Sequence, residues 1–158
     1  MSKPKTIKSK QRVRDYGEVY TPEQIVRDML DLLPHDTQAI DSTYLEPACG
    51  NGAFLIEILR RKLERCKDIR DGLIAVSSVY GIDILPDNVE ECKMRLYDLF
   101  ASKFGESLLA ALILEQNVIC GNTMTGLRPD GSPIRFRSWL EDWREAAIMP
   151  APGGEADG

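Results

Sequence analysis

Two carboxylates and a pair of glycines are the residues best placed to do chemistry in this chain. Gly50-Asn51-Gly52 follows a short apolar run, Thr43-Tyr44-Leu45, and precedes a helical pattern that begins at Ala53. A glycine turn between a strand and a helix exposes backbone N–H groups at the positive end of the helix dipole. Glu46 ends that strand and Asp83 ends the next, on the rim where ligands bind in open α/β sheets. An acid at that place accepts two hydrogen bonds from a ribose diol. Leu55 stands where the third glycine of G-x-G-x-x-G would be, and the interval from Gly52 to Asp83 exceeds the roughly 20 residues of a dinucleotide site. A pyrophosphate is therefore disfavoured, and a nucleoside without phosphate fits better. By itself the G-x-G turn serves equally well as a backbone device of the connection.

The elements that must position these residues read as an alternation. A first helix is predicted from Thr21, with Thr21 as N-cap, Pro22 in the first position and Gln24 completing a T-x-x-Q box. Ile25, Val26, Met29, Leu30 and Leu33 recur at helical spacing until Pro34. Residues 53–66 read as a helix with Phe54, Leu55, Ile58, Leu59 and Leu63 on one side. Arg60, Arg61, Lys62 and Arg65 read as its solvated face, favourable to the helix dipole. A second strand is expected at 79–84 and a long helix at 86–103, with Val89, Cys92, Leu96, Leu99 and Phe100 turned inward. A shorter helix at 108–114 and a strand at 117–120, ending in Gly121-Asn122, follow. Strands alternating with helices imply parallel pairing and right-handed crossovers, hence a doubly wound α/β sheet. Beyond it, Pro129-Asp130-Gly131 is a turn, residues 134–136 a short edge strand, and 139–145 a brief helix whose tryptophans cover core.

Composition sets the class. The 158 residues are 43% apolar and 28% charged, with a mean hydropathy of −0.25, which predicts one soluble globular domain with a single core. The longest apolar run, residues 108–114, is too short to span a bilayer, and no apolar stretch follows the first charges. Cys49, Cys66, Cys92 and Cys120 lie far apart and His35 is the one histidine, so neither a zinc site nor a disulfide framework is expected. A cytoplasmic location follows as the expectation. The net charge of −5 divides unevenly: Lys3, Lys5, Lys8, Lys10, Arg12 and Arg14 give the first fourteen residues +6, leaving −11 on the rest. Such an arm serves as a solubilising tail or reaches for nucleic-acid phosphates. The organisation predicted is an arm at 1–15, a domain at 16–145, and a disordered tail at 146–158.

Three segments carry a family resemblance. Gly17-Glu18-Val19-Tyr20-Thr21-Pro22, then Leu45-Glu46-Pro47-Ala48-Cys49-Gly50-Asn51-Gly52-Ala53-Phe54-Leu55, then Tyr80-Gly81-Ile82-Asp83-Ile84, resemble motifs X, I and II of the N6-adenine DNA methyltransferases of bacterial restriction–modification systems and phages. They stand in the family's order. The resemblance implies a partial doubly wound, Rossmann-like class I methyltransferase sheet and S-adenosylmethionine as cofactor. It implies that Tyr20, Thr21 and Pro22 line the methionine end and that Glu46 takes the ammonium group. Pro47 belongs to the same motif, and the backbone at Ala48, Gly50 and Gly52 would wrap the methionine moiety. Asp83 would hold the ribose hydroxyls, Ile84 would pack on the adenine, and Asn122 would stand where the family usually has an aspartate near the adenine amino group. Read without the resemblance, Thr21 and Pro22 serve as a helix start, Asp83 as a cap and Asn122 as a turn residue.

One family feature is missing. The catalytic loop of that family is an Asn/Asp-Pro-Pro-Tyr/Phe segment whose polar groups bind the target amine and whose ring stacks on the flipped base. These 158 residues contain no Pro-Pro pair, and Met149-Pro150-Ala151-Pro152 lacks both the amide and the ring. No catalytic residue and no metal ligand are assigned. The expectation is a cofactor-binding portion, inactive alone, that transfers methyl to adenine N6 in DNA when completed. A non-catalytic partner-binding protein and a methyltransferase of RNA or protein are the alternatives. Partners expected are DNA, a second copy, or a complementary catalytic subunit. The family's fourth strand pairs beside the first, so the edge at Thr43–Glu46 is expected to be closed by residues 132–145 or by another chain.

Overall fold

The computed structural model describes residues 6–148. In chain order these form α1 (Lys10–Tyr16), α2 (Glu23–Asp31), β1 (Tyr44–Glu46), α3 (Ala53–Arg65), α4 (Ile69–Ser77), β2 (Val79–Asp83), α5 (Pro86–Phe104), α6 (Leu108–Asn117), β3 (Val118–Cys120) and α7 (Trp139–Ile148). The strands make one parallel sheet in the order β1-β2-β3, with Leu45 opposite Tyr80 and Ile82 opposite Ile119. The result is a mixed α/β fold around a small parallel sheet. The three strands expected in the parallel sheet and the long helices are present to within a few residues, because each carries apolar residues at the period of its own element.

Alternation along the strands divides the sheet into two faces. The face of Gly81 lies against α3, close enough that a Cβ at Gly81 would stand 2.8 Å from Leu55. Leu55, Leu59, Cys92, Leu96 and Phe100, all fully buried, join α3 and α5 into the main core. On the opposite face Tyr80 meets Phe136 edge to face at 5.1 Å and donates its hydroxyl to the Arg137 carbonyl at 2.8 Å. Ile82 and Ile119 are buried there too. Leu45, the β1 residue of that face, is 52% exposed.

Several expectations are corrected. The first predicted helix starts at Glu23 with Pro22 as its cap, and Thr21 makes no capping bond. A fixed proline φ sets the entry instead. Residues 10–15 of the supposed arm, with Tyr16, form a helix, capped where the Ser9 side chain accepts Arg12 N–H and closed by Gly17 at φ 66°. Helix α4, which no periodicity singled out, packs between α3 and α6. Residues 134–136 do not form a strand. Ile134 lies against Gly121 and Phe136 against Tyr80, so their apolar partners are on the sheet face and not at its edge.

α7 runs past the predicted end, to Ile148, and its tryptophans do cover core. Trp139 Nε1 donates to Asn117 Oδ1 at 2.9 Å, and Trp143 Nε1 to Ser77 Oγ at 3.0 Å. These bonds draw α7 onto α4 and α6. Residues 132–145 therefore leave the β1 edge open, and no strand pairs on its outer side among the described residues. The predicted tail lies outside the described residues from 149 onward, as do residues 1–5 of the arm.

Lys62 overturns part of the solvated-face reading of α3. It is 1% exposed and donates to the carbonyls of Ile40 and Ser42 and to Ser78 Oγ. Its neighbour Arg60 forks onto Glu57, Arg61 adds a single bond to it, and Arg60 chiefly holds that carboxyl down to about 2. An ammonium has three donors, and here all three are used.

Candidate ligand site at the carboxyl end of the sheet

The turn after β1 is built on its two glycines. Gly50 has φ 54° and Gly52 has φ 95°, a region that costs other residues one or two kcal/mol. A Cβ at Gly52 would also stand 2.8 Å from Cys92 Sγ. Cys49 N–H donates to the Ile82 carbonyl at 2.8 Å, stitching the turn to β2. Gly52 is the N-cap of α3 and offers no side-chain acceptor, so the first N–H groups of that helix are left for another partner. Behind the turn, the neighbouring Cys92 thiol, together with burial, pushes the Cys49 thiol far above its usual range. These thiols are structural.

Asp83 anchors the turn from the next strand. Its Oδ2 accepts Gly50 N–H at 2.9 Å, and its Oδ1 accepts Leu85 N–H at 2.9 Å and the Asn88 amide at 3.2 Å. A carboxylate accepts about four such bonds, so one acceptor position, on Oδ2, is left over. Ile84, next along, is 47% exposed. Glu46 is half-buried. Burial pushes its pKa up, and only its contact with Ala48 N–H, at 3.2 Å, opposes this. No cation pairs with it among the described residues.

Tyr20 reaches the same place from the N-terminal side. The Tyr20 ring lies 3.5 Å from where a Cβ of Gly50 would be. Tyr20, Thr21 and Pro22 line, with Asn51, Ala53, Ile56 and Arg95, a cavity of about 480 Å³ on the α2 side of the turn, and Glu46, Gly50 and Asp83 are not among its walls. From the far side, Thr123 Oγ1 donates to the Pro47 carbonyl at 2.6 Å, and Gly121 N–H to the Asp83 carbonyl at 2.9 Å. Asn122 sits between them, but its Oδ1 accepts Met124 N–H at 2.9 Å in a local turn. The fold thus gathers Tyr20, Gly50 and Asp83 directly and brings β3's end to Pro47.

The site has a member that sequence reasoning did not name. Asn88 is 1% exposed and ties Asp83 to the N-terminal segment: its amide donates to Glu18 Oε2 at 2.7 Å, and its Oδ1 accepts the Tyr20 hydroxyl at 3.0 Å and Lys8 Nζ at 2.8 Å. Its one sequence signal is its position in the first turn of a helix that follows an acidic strand end. Arg12 and Lys8 then grip Asp87 and Glu91 from above.

The two carboxylate acceptors fit a ligand carrying an ammonium group and a ribose. A half-buried carboxylate without a cation suits the first, and an acid with an acceptor position left over suits the second. The sequence profile of the N-6 DNA Methylase family matches residues 7–99. The chain belongs to that family.

Three relatives bear on this N-6 DNA methylase domain. It is 35% identical over 83 residues to the type II methyltransferase M.VspI of Vibrio sp. (strain 343), a match that covers 52% of the chain and 17% of the relative. It is 37% identical over 101 residues to the putative type II restriction enzyme and methyltransferase RM.MjaORFECS2P of Methanocaldococcus jannaschii, covering 52% of the chain and 8% of the relative. It is 50% identical over 44 residues to the type I restriction enzyme MjaVII methylase subunit of the same organism, covering 28% and 7%. The chain thus spans less than a fifth of the length of each of these relatives. No solved structure matches it. The resemblance in the three motifs is borne out, and the match begins at Ile7, inside the stretch read as an arm.

Proposed function

We propose that this chain is the S-adenosylmethionine-binding portion of an N6-adenine DNA methyltransferase, on a partial doubly wound, Rossmann-like sheet. The observation that carries the reading is Glu46, half-buried and with no cation on it among the described residues, beside a glycine turn that Asp83 fixes from the next strand. Glu46 receives the methionine ammonium. The N–H groups left at the start of α3, beside Gly50 and Gly52, face the methionine carboxylate, with Ala48 and Pro47 shaping the wall. Tyr20, Thr21 and Pro22 close over that end. Asp83 takes a ribose hydroxyl at its remaining acceptor position, and the exposed Ile84 supplies an apolar seat for the adenine. Asn122, whose Oδ1 accepts Met124 N–H, keeps a second lone pair for the adenine amino group.

When bound, the cofactor supplies an electrophilic methyl group. This chain's residues hold and orient it, and no residue here is assigned to receive an extruded adenine, because no Asn/Asp-Pro-Pro-aromatic loop is present. Binding is checked by thermal unfolding. A ligand at about a hundred times its Kd stabilises the folded state by roughly 2.7 kcal/mol, so S-adenosylmethionine and its demethylated product should both raise the melting temperature, and ATP should not. A second expectation concerns activity. With tritiated S-adenosylmethionine and mixed-sequence DNA, the chain alone should incorporate no label above a protein-free control, and incorporation would show that the catalytic groups are already here.

The open edge of β1 is where the catalytic portion belongs. Leu45 at the edge and Ile25, Met29 and Leu32 along one side of α2 are exposed apolar residues, spaced on the helix at i, i+4 and i+7. A further strand pairing with β1 would satisfy its outward backbone groups and cover Leu45. A complementary catalytic segment or subunit, with a second copy as the other partner considered, is the proposed cover, and DNA the proposed substrate. The cofactor-binding unit of this reading is residues 16–145, with the basic segment clamped to it. No helix among the described residues is long and apolar enough to cross a membrane, and cytoplasm is the proposed location.

A further inference from the structure

We propose that Arg12, 71 residues from Asp83 in sequence and outside the three motifs, is a positioning residue for the ribose-binding carboxylate, acting through Glu18 and Asn88. The inference rests on the cofactor reading above. Its basis is an uninterrupted run of bonds. The Arg12 guanidinium makes two forks: one onto Glu18, at 2.9 and 2.6 Å, and one onto Asp87, at 2.7 and 3.1 Å. Planar two-bond forks of this kind fix orientation as well as distance. Glu18 has a side chain only 7% exposed. Burial alone would raise its pKa, but the Arg12 fork and the Asn88 amide outweigh it and keep the carboxyl below its usual range.

Glu18 then holds the Asn88 amide at 2.7 Å, and the same amide nitrogen reaches Asp83 Oδ1 at 3.2 Å. Asn88 has one NH₂ group and one carbonyl oxygen. With the nitrogen shared between Glu18 and Asp83, the oxygen faces the donors Tyr20, Lys8 and Arg12 Nη2, the last at 3.3 Å. Acceptors on one side, Glu18 and Asp83, and donors on the other, Tyr20, Lys8 and Arg12, fix which way the amide points. Without Arg12, Glu18 loses its fork and the Asn88 oxygen loses one donor, so the amide is free to shift away from Asp83 Oδ1. That loosens the carboxylate against Gly50 and the Tyr20 hydroxyl with it. A sequence-remote arginine thus controls both the acid at the end of β2 and the aromatic wall.

The same geometry changes the meaning of the basic arm. Lys8 and Arg12 are held by Asp87, Glu91 and Glu18 of the chain itself, so two of the six positive charges are not available to nucleic-acid phosphates. Their work is internal: they close the segment before motif X onto the start of α5.

The test is calorimetric titration of S-adenosylmethionine into the parent chain, Arg12→Ala, Arg12→Lys and the control Lys10→Ala, repeated in an Asp83→Ala background. Coupled neighbours commonly share about 0.5–3 kcal/mol, so Arg12→Ala should lower affinity by roughly three- to a hundredfold. Arg12→Lys should recover only part of it, because one ammonium cannot form both forks, and Lys10→Ala should match the parent. In the Asp83→Ala background, Arg12→Ala should have little further effect. An unchanged Arg12→Ala, with Asp83→Ala weakened, overturns the positioning role and leaves the cofactor reading intact. An equal loss in both backgrounds also overturns it, because that is the mark of a general structural role. A folded parent chain that binds no cofactor overturns the cofactor reading and this inference together.

Discussion

Replacing Asp83 by alanine should weaken S-adenosylmethionine binding by roughly ten- to a hundredfold, the equivalent of about 1.5–3 kcal/mol for a lost charged acceptor. Two effects add in this variant. The ribose loses its acceptor, and Gly50 loses the carboxylate that holds its N–H at 2.9 Å. The Leu85 N–H and the Asn88 amide also lose a partner, so circular dichroism must first show that the variant is folded. The affinity of the folded fraction then decides. Equal dissociation constants for variant and parent would remove Asp83 from the site.

The second large effect is on stability. Lys62→Met should destabilise the fold by about 3 kcal/mol, because three hydrogen bonds from a charged donor, each worth roughly 1.5–3 kcal/mol, are lost, partly offset by the burial cost that goes with the charge. The Ile40 and Ser42 carbonyls would be left without it, and with them the approach to β1. A pH signature accompanies the change. Burial pushes Lys62 from 10.5 down to about 7 in the folded chain, with Asp41 opposing. Between those values the unfolded chain binds more protons than the folded one, so stability from this group rises as pH increases from about 7 towards 10.5, by at most roughly 1.4 kcal/mol per pH unit. Urea unfolding at pH 7 and pH 9 should show that gain in the parent and not in Lys62→Met. The same gain in both proteins would assign it to another group.

Much of the architecture was legible because the signals are local. The Gly50-Asn51-Gly52 turn, the strand ends at Glu46 and Asp83, and the apolar stripes of α3 and α5 all follow from spacing within one element. What escaped was decided between distant residues. Helix α1 reads as a basic tail until Glu18, Asp87 and Glu91 are brought beside it, more than 70 positions away in the last two cases. Lys62 reads as solvated because it neighbours three arginines, and only the return of residues 40–42 and Ser78 shows the acceptors it meets. Asn88 carries no motif, and its importance lies in having partners on three segments. The placing of residues 132–145 failed for the same reason. Sheet-edge logic offered them β1, whereas Asn117 and Ser77 supplied hydrogen-bond partners for both tryptophans elsewhere.

The most direct measurement of the central claim is an isothermal titration of S-adenosylmethionine into the parent chain, confirmed folded by circular dichroism. The account predicts saturable binding at one cofactor per chain, with the demethylated product competing for the same site. A folded chain that gives no saturable heat with either ligand, and whose melting temperature neither ligand moves, would contradict it.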